Sequence, residues 1–228
     1  DAAHSFGATY KGKRSGNLAD VSCFSFHAVK NLTTSEGGAV CFNLPSEFEH
    51  EEIYKEFVTI TLHGQSKDAL AKTKKGAWKY DVVSPGYKCN MTDIQAAMGL
   101  VELDRYDENL ARRTAIFSAY DKAFNDKPWA ILPPHIDKNK ESSHHLYLLR
   151  IKDITEEQRD AIIQHIFEKE VSVNVHFQPL PILTAYKQLG YQIDNYPVAY
   201  QKYQSEITLP VYYNLSDSQL NQVIDAVI

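Results

Sequence analysis

The sequence predicts an α/β protein, and three patterns carry that expectation. Val21 to His27 alternates in strand fashion and, after Gly37-Gly38, a second apolar run (Ala39 to Phe42) reads as its return strand. Thr92-Asp93-Ile94-Gln95 and Thr155-Glu156-Glu157-Gln158 have the form of capping boxes, in which a threonine and the glutamine three residues on satisfy free backbone N–H groups at a helix start. From His145 to Phe177 the expected order is strand, helix, strand. There is no internal repeat and no low-complexity tract.

Taken in order, Gly7 to Arg14 comes close to a phosphate-binding loop, but Arg14 stands where a hydroxyl would meet magnesium, and a strand pattern follows where a helix should. The stretch therefore reads as a hairpin turn with basic tips. Val21, Cys23, Ser25 and His27 share one strand face, with Ser22, Phe24 and Phe26 on the other. Pro45 to Leu62 reads as a helix with Phe48, Ile53, Phe57 and Ile60 along it. His63 to Tyr80 is polar with five lysines (Lys67, Lys72, Lys74, Lys75, Lys79) and reads as a mobile excursion. The helix opened by Thr92 carries Ile94, Ala97, Met98, Val101, Tyr106 and Leu110 toward Phe124, and Pro128 to Pro134 breaks the pattern. Then follow a strand (His145 to Ile151), a helix (Thr155 to Glu170), a strand (Val171 to Phe177) and a last helix opened by Ser216-Asp217-Ser218-Gln219. The domains expected are 1–125 and 126–228.

Composition narrows the function classes. With 228 residues, 43% hydrophobic and 23% charged, the chain has the make-up of a globular protein. A net charge of -5 and the absence of a long basic block argue against a nucleic-acid partner. No apolar run reaches a spanning length and no signal peptide is visible, so no membrane association is expected. The cysteines, Cys23, Cys41 and Cys89, are far apart and odd in number, which fits a reducing cytoplasm. Cys23 and Cys41 lie in apolar strand runs, where a buried small hydrophobe is expected. The histidines show no zinc-ligand spacing, so no metal site is expected.

Lys30 is the most informative residue. An apolar run ends in Ser25-Phe26-His27-Ala28-Val29, then come Lys30, a turn and Gly37-Gly38, a layout that presents one amine at the tip of a strand pair. Such a lysine can form a Schiff base with a carbonyl when its surroundings favour the neutral amine; the alternative is a solvated loop lysine. Five further segments weigh against that alternative: Asp1-Ala2-Ala3-His4-Ser5-Phe6-Gly7-Ala8, Pro85-Gly86-Tyr87-Lys88-Cys89-Asn90-Met91-Thr92-Asp93-Ile94-Gln95-Ala96-Ala97, His145-Leu146-Tyr147, Val175-His176-Phe177-Gln178-Pro179-Leu180, and Leu209-Pro210-Val211-Tyr212. Together, in this order and from the first residue to the last, they resemble the DegT/DnrJ/StrS sugar aminotransferases.

The resemblance implies a pyridoxal-phosphate-dependent transferase fold of the aspartate aminotransferase type (fold type I), lacking its N-terminal part, with a small C-terminal α/β domain. The chain opens directly on Asp1-Ala2-Ala3-His4, a motif that lies in mid-chain in that family. The implied cofactor is pyridoxal 5'-phosphate. Lys30 matches the Schiff-base lysine and Asp1 the acid facing the pyridine nitrogen. His4 matches a residue near the ring hydroxyl, and Ser25 a phosphate donor. Asn90 matches an asparagine that reaches the cofactor phosphate of a neighbouring subunit, which implies a homodimer. His145, Tyr147 and His176 fall in motifs near the substrate or the domain junction. Each has a plainer alternative: a solvated terminal acid for Asp1, a surface or cap histidine for His4, a strand serine for Ser25, a turn asparagine for Asn90 and packed strand residues for the last three. The implied reaction moves an amino group from an amino acid, in this family usually L-glutamate, to a nucleotide-linked keto-deoxysugar for polysaccharide, lipopolysaccharide or glycoside synthesis. Two rivals remain. One is a sugar dehydratase, disfavoured because that branch replaces the lysine with histidine. The other is a non-catalytic fragment or regulatory binding module that cannot hold the cofactor alone.

Overall fold

The computed structural model describes residues 1–66 and 79–228. They form two compact units, Asp1–Tyr106 and Asp107–Ile228. The sequence expectation placed the boundary at 125/126. The difference is one helix, whose Ile116, Phe117, Tyr120 and Phe124 all belong to the core of the second unit.

In the first unit, β1 (Thr9–Tyr10) and β2 (Lys13–Arg14) form the expected hairpin, with Thr9 opposite Arg14. Its turn residues Lys11 and Gly12 have φ of 48° and 76°. Two positive φ values in a two-residue loop define the turn whose twist matches the flanking strands. β3 (Val21–Ser25) and β4 (Gly38–Phe42) pair antiparallel, with Val21 opposite Phe42 and Ser25 opposite Gly38. The predicted alternation holds: Ser22 and Phe24 are buried, while Val21 and Cys23 face outward. Cys23 is exposed, against its expected burial, because it lies on the outer face of the two-stranded ribbon; Cys41, opposite Ser22 on the covered face, is half-buried. That face packs on a small aromatic core, in which the Phe6 ring meets Phe24, Phe26 and Tyr106 edge-on at 5.3, 5.9 and 4.8 Å.

The helix expected from Pro45 is α1 (His50–Thr61); it starts late because Phe48 N–H closes a turn on the Pro45 carbonyl. Its C-terminus is clasped by the segment around Gly86. Tyr87 N–H donates to the Ile60 carbonyl, and His63 N–H donates to the Tyr87 carbonyl. A Cβ on Gly86 would stand 2.4 Å from the Gly64 nitrogen and 2.6 Å from the Ile60 oxygen, so only glycine fits. Of the expected excursion, residues 67–78 with Lys67, Lys72, Lys74 and Lys75 lie outside the described residues. α2 (Asp93–Asp104) opens on the predicted capping box, with Gln95 N–H donating to Thr92 Oγ1 and Thr92 N–H to Gln95 Oε1. The single long helix expected is divided at Arg105 (φ -98°, ψ 6°), and α3 (Tyr106–Phe124) follows. Ile94, Leu100, Val101 and Leu103 on α2 are exposed.

The second unit is built on an antiparallel three-stranded sheet in the order β5-β7-β8. Its strands are β5 (Ala130–Ile131), β7 (Tyr147–Ile151) and β8 (Glu206–Leu209). Between β5 and β7 lies a two-residue strand, β6 (Lys140–Glu141). Tyr147, Leu149 and Ile151 alternate onto the core face, where they meet α3, α4 (Glu156–Glu168) and α7 (Asp217–Val227). α4 and α7 open on the capping boxes read at Thr155 and Ser216. Between α4 and β8 come two short helices, α5 (Thr184–Gln188) and α6 (Pro197–Tyr203). Val171 to Phe177 is not a strand. Only Asn174 bridges to Thr208, because the His176 N–H is taken by the Glu206 carboxylate at 2.9 Å rather than by a neighbouring strand. The His176–Phe177 peptide is cis.

Candidate active site

The first unit holds Lys30, Ser25, Asp1, His4 and Asn90. The β3–β4 connection is a closed loop, not an open excursion. Thr34 N–H donates to the Phe26 carbonyl at 2.9 Å, Thr33 Oγ1 donates to the same oxygen at 3.2 Å, and Phe26 N–H donates to the Gly37 carbonyl at 2.8 Å. Asn31, Leu32 and Thr34 are buried within it. Lys30 stands half-buried on this frame, its N–H donating to the His27 carbonyl at 2.9 Å. Among the described residues no carboxylate, carbonyl or ring pairs with its amine. His27 Nε2 lies 3.7 Å from Glu36 Oε1 across the loop.

The loop is tied to α2 by Gln95. Its Oε1 caps Thr92 and its Nε2 donates to the Glu36 carbonyl at 2.7 Å. The sequence reading saw Gln95 only as a cap. Its side-chain NH2 was the available signal, since a capping glutamine uses its oxygen and leaves two N–H groups to place.

Ser25 lies on the same strand face as Cys23, with its Oγ accepting from the His27 N–H at 3.4 Å and its own proton left to donate. Ala2 N–H donates to the Cys23 carbonyl at 2.9 Å, which fixes Asp1 alongside β3. The Asp1 carboxylate is exposed and accepts from the Ala3 N–H at 2.9 Å. His4 is half-buried. Asn90 is exposed just ahead of α2; its Oδ1 accepts from the Lys88 ammonium and its Nδ2 donates to the Met91 carbonyl at 3.2 Å. The structure thus sets Asp1, Ser25 and Lys30 along one strand and the loop that follows it. Their donor and acceptor chemistry fits a cofactor bearing an aldehyde, a basic ring nitrogen and a phosphate.

His145, Tyr147 and His176 belong to the second unit. Tyr147 is fully buried and its hydroxyl donates to Asp121 Oδ1 at 2.8 Å; burial, with the carboxylate beside it, pushes the phenol well above its usual range. Its side chain packs in the core of the second unit, as the plainer alternative of a packed strand residue has it. Asp121 Oδ2 lies 2.5 Å from His135 Nε2. Burial holds the neighbouring His144 below the usual histidine range. His145 is half-buried and its carbonyl accepts from the Arg113 guanidinium at 3.4 Å. His176 is half-buried, its Nδ1 2.8 Å from Thr208 Oγ1. Thr208 Oγ1 donates in turn to Glu206 Oε1 at 2.5 Å. Burial pushes the Glu206 carboxyl up to about 7, against the opposing pull of its hydrogen bonds from Thr208 and His176 and of Arg159.

Among the described residues no group of three His, Cys, Asp or Glu side chains is placed to hold a metal ion, and no helix is long and apolar enough to cross a membrane.

The first unit thus presents a half-buried lysine on a braced loop between two strands of an α/β unit, and comparison with known proteins supplies the family. The model of the DegT/DnrJ/EryC1/StrS aminotransferase family matches residues 1–228, and the chain belongs to that family. It has the α/β fold of the family over about half the length of full-length structures. It is 48% identical to a putative sugar aminotransferase, Spr1654 from Streptococcus pneumoniae, in its PMP form, with a TM-score of 0.94 over 100% of this chain and 57% of that one. Helicobacter pylori PseC, an aminotransferase involved in the biosynthesis of pseudoaminic acid, matches at 28% identity and a TM-score of 0.85, covering 100% of this chain and 57% of that one. Among curated proteins, the spore coat polysaccharide biosynthesis protein SpsC of Bacillus subtilis is 36% identical over 233 residues, 100% of this chain and 58% of that protein. The chain therefore spans little more than half the length of the relatives it matches.

Proposed function

We propose that this chain carries the cofactor-holding lysine of a pyridoxal-phosphate-dependent sugar aminotransferase. The observation that carries the reading is Lys30: an amine without a partner among the described residues, on a hydrogen-bonded loop, in a chain matched end to end by the family model. When bound, pyridoxal phosphate supplies an aldehyde that takes up an amino group and a ring that withdraws electrons. Lys30 would hold that aldehyde carbon between turnovers and carry a proton to and from the substrate carbon. Asp1 would keep the ring nitrogen protonated, His4 would face the ring hydroxyl, and Ser25 and Asn90 would donate to the phosphate. The Asn90 role requires a second copy, so the working form is a homodimer. L-Glutamate is the amino donor and a nucleotide-linked keto-deoxysugar the acceptor, in the cytoplasm, for a surface polysaccharide, lipopolysaccharide or glycoside. The presence of Lys30 disfavours dehydration.

A second reading is favoured by the coverage of 57–58% of the relatives: the chain alone supplies only part of the cofactor site. One experiment addresses both. The chain, and a version extended to the relatives' length, are incubated with pyridoxal phosphate and reduced with borohydride, and the label is located by peptide mass spectrometry. Label confined to Lys30, and lost in Lys30→Arg, is expected. Label at Lys30 only in the extended version supports the second reading. Absence of Lys30 label from both overturns the aminotransferase proposal.

A further inference from the structure

The second unit contains a cleft that the proposed function leaves without a role, with the candidate residue His176 in its wall. It has a volume of about 410 Å³; Pro133, Leu148, Pro179 and Phe177 are among its apolar walls, and its polar lining includes Arg150, Lys202, His176 and the Glu206 carboxyl. Leu148 and Arg150 project from β7 on the face opposite Tyr147 and Leu149, so the cleft lies across the sheet from the hydrophobic core. Arg150 is half-buried, and among the described residues no carboxylate, carbonyl or ring pairs with its guanidinium. The Lys202 ammonium is likewise unpaired among them.

A half-buried guanidinium without a partner carries a desolvation cost that an anion would relieve. The obvious internal partner is Glu206, directly opposite Arg150 in the β7–β8 register. Its carboxyl is committed elsewhere, Oε1 to Thr208 Oγ1 at 2.5 Å and Oε2 to the His176 N–H at 2.9 Å. The positive charge of Arg150 is therefore left to the cleft.

We propose that this cleft binds a small organic anion with a compact apolar body, its anionic group on Arg150 and Lys202 and its body against Leu148, Pro133, Pro179 and Phe177. The volume lies in the lower range of small-molecule sites, room for an aryl or branched alkyl group beside one carboxylate. Arg150 supplies a planar fork for that carboxylate, while Lys202, exposed at the rim, supplies a point charge.

The test is titration calorimetry with 3-phenylpropionate, and with the isosteric 3-phenylpropanamide as the uncharged control. The carboxylate is expected to bind at least tenfold more tightly than the amide. Arg150→Gln is expected to remove that preference, and Lys202→Gln, at an exposed position that folding does not need, to weaken the carboxylate about threefold. Equal binding of acid and amide to the parent chain, or no measurable binding of either, overturns the proposal, and so does a Lys202→Gln variant that binds the carboxylate as the parent does. Should Arg150→Gln lose its near-ultraviolet dichroism, the acid-to-amide ratio in the parent and the Lys202→Gln result still decide.

Discussion

Glu206→Gln offers the most quantitative test of how the second unit is built. Glu206 is almost wholly buried, and its carboxyl is raised from 4.5 to about 7. Below pH 4.5 the folded and unfolded chains both hold the proton, and the group leaves stability unchanged. As the pH rises through 4.5 the unfolded chain releases the proton while the folded chain keeps it until about 7, so stability falls across that window and is level above it. At ~1.36 kcal/mol per pH unit the loss is about 3 kcal/mol. Glutamine imitates the protonated acid. Its oxygen accepts the His176 N–H, and its NH2 donates to Thr208 Oγ1, which can then donate to His176 Nδ1. Urea unfolding followed by far-ultraviolet dichroism should find the variant and the parent equal near pH 4.5 and the variant more stable by about 3 kcal/mol near pH 8. A difference that does not change with pH, or one in which the parent gains on the variant as pH rises, would refute the account of Glu206 as a carboxyl destabilised by its burial.

Two further substitutions separate bracing from chemistry. Gln95→Glu keeps the oxygen that caps Thr92 but removes the N–H that reaches the Glu36 carbonyl; it should cost about 1–3 kcal/mol and raise hydrogen exchange at the Thr34 and Glu36 amides, read by mass spectrometry. Tyr147→Phe leaves Asp121 Oδ1 without its donor and should lower unfolding stability by about 1–3 kcal/mol while leaving cofactor labelling at Lys30 unchanged, as a core residue requires.

Features set by neighbours in sequence were legible before the structure. The boxes at Thr92, Thr155 and Ser216 need only a hydroxyl and a glutamine one turn apart, and all open helices. The Lys11-Gly12 turn was legible because a short connection between paired strands demands positive φ. Distant partners were not legible. Val171 to Phe177 has strand composition, yet a carboxylate thirty residues away captures the His176 N–H. Alternation in β7 marks two faces without saying which is the core, so Tyr147 looked available when it is enclosed. Cys23 failed the other way, an apolar run being taken for a strand covered on both faces. At the candidate site the lysine loop, the strand serine and the acid beside it were all marked by motif. The Gln95 tie that braces them joins residues 59 apart and left no mark in either neighbourhood.

β8 is buried along its whole length, with Ile207 and Leu209 turned to one side and Glu206 and Thr208 to the other. The strand is thus a partition between two interiors with different rules of substitution. On the oily side, volume decides, and one aliphatic residue can stand for another at modest cost. On the wet side, hydrogen bonding decides, and a side chain is tolerated when every donor and acceptor still finds a match, as those of glutamine do in place of Glu206. Successive positions along one short strand should therefore tolerate opposite sets of amino acids, a pattern that repeats every second residue and has its origin in the pleat.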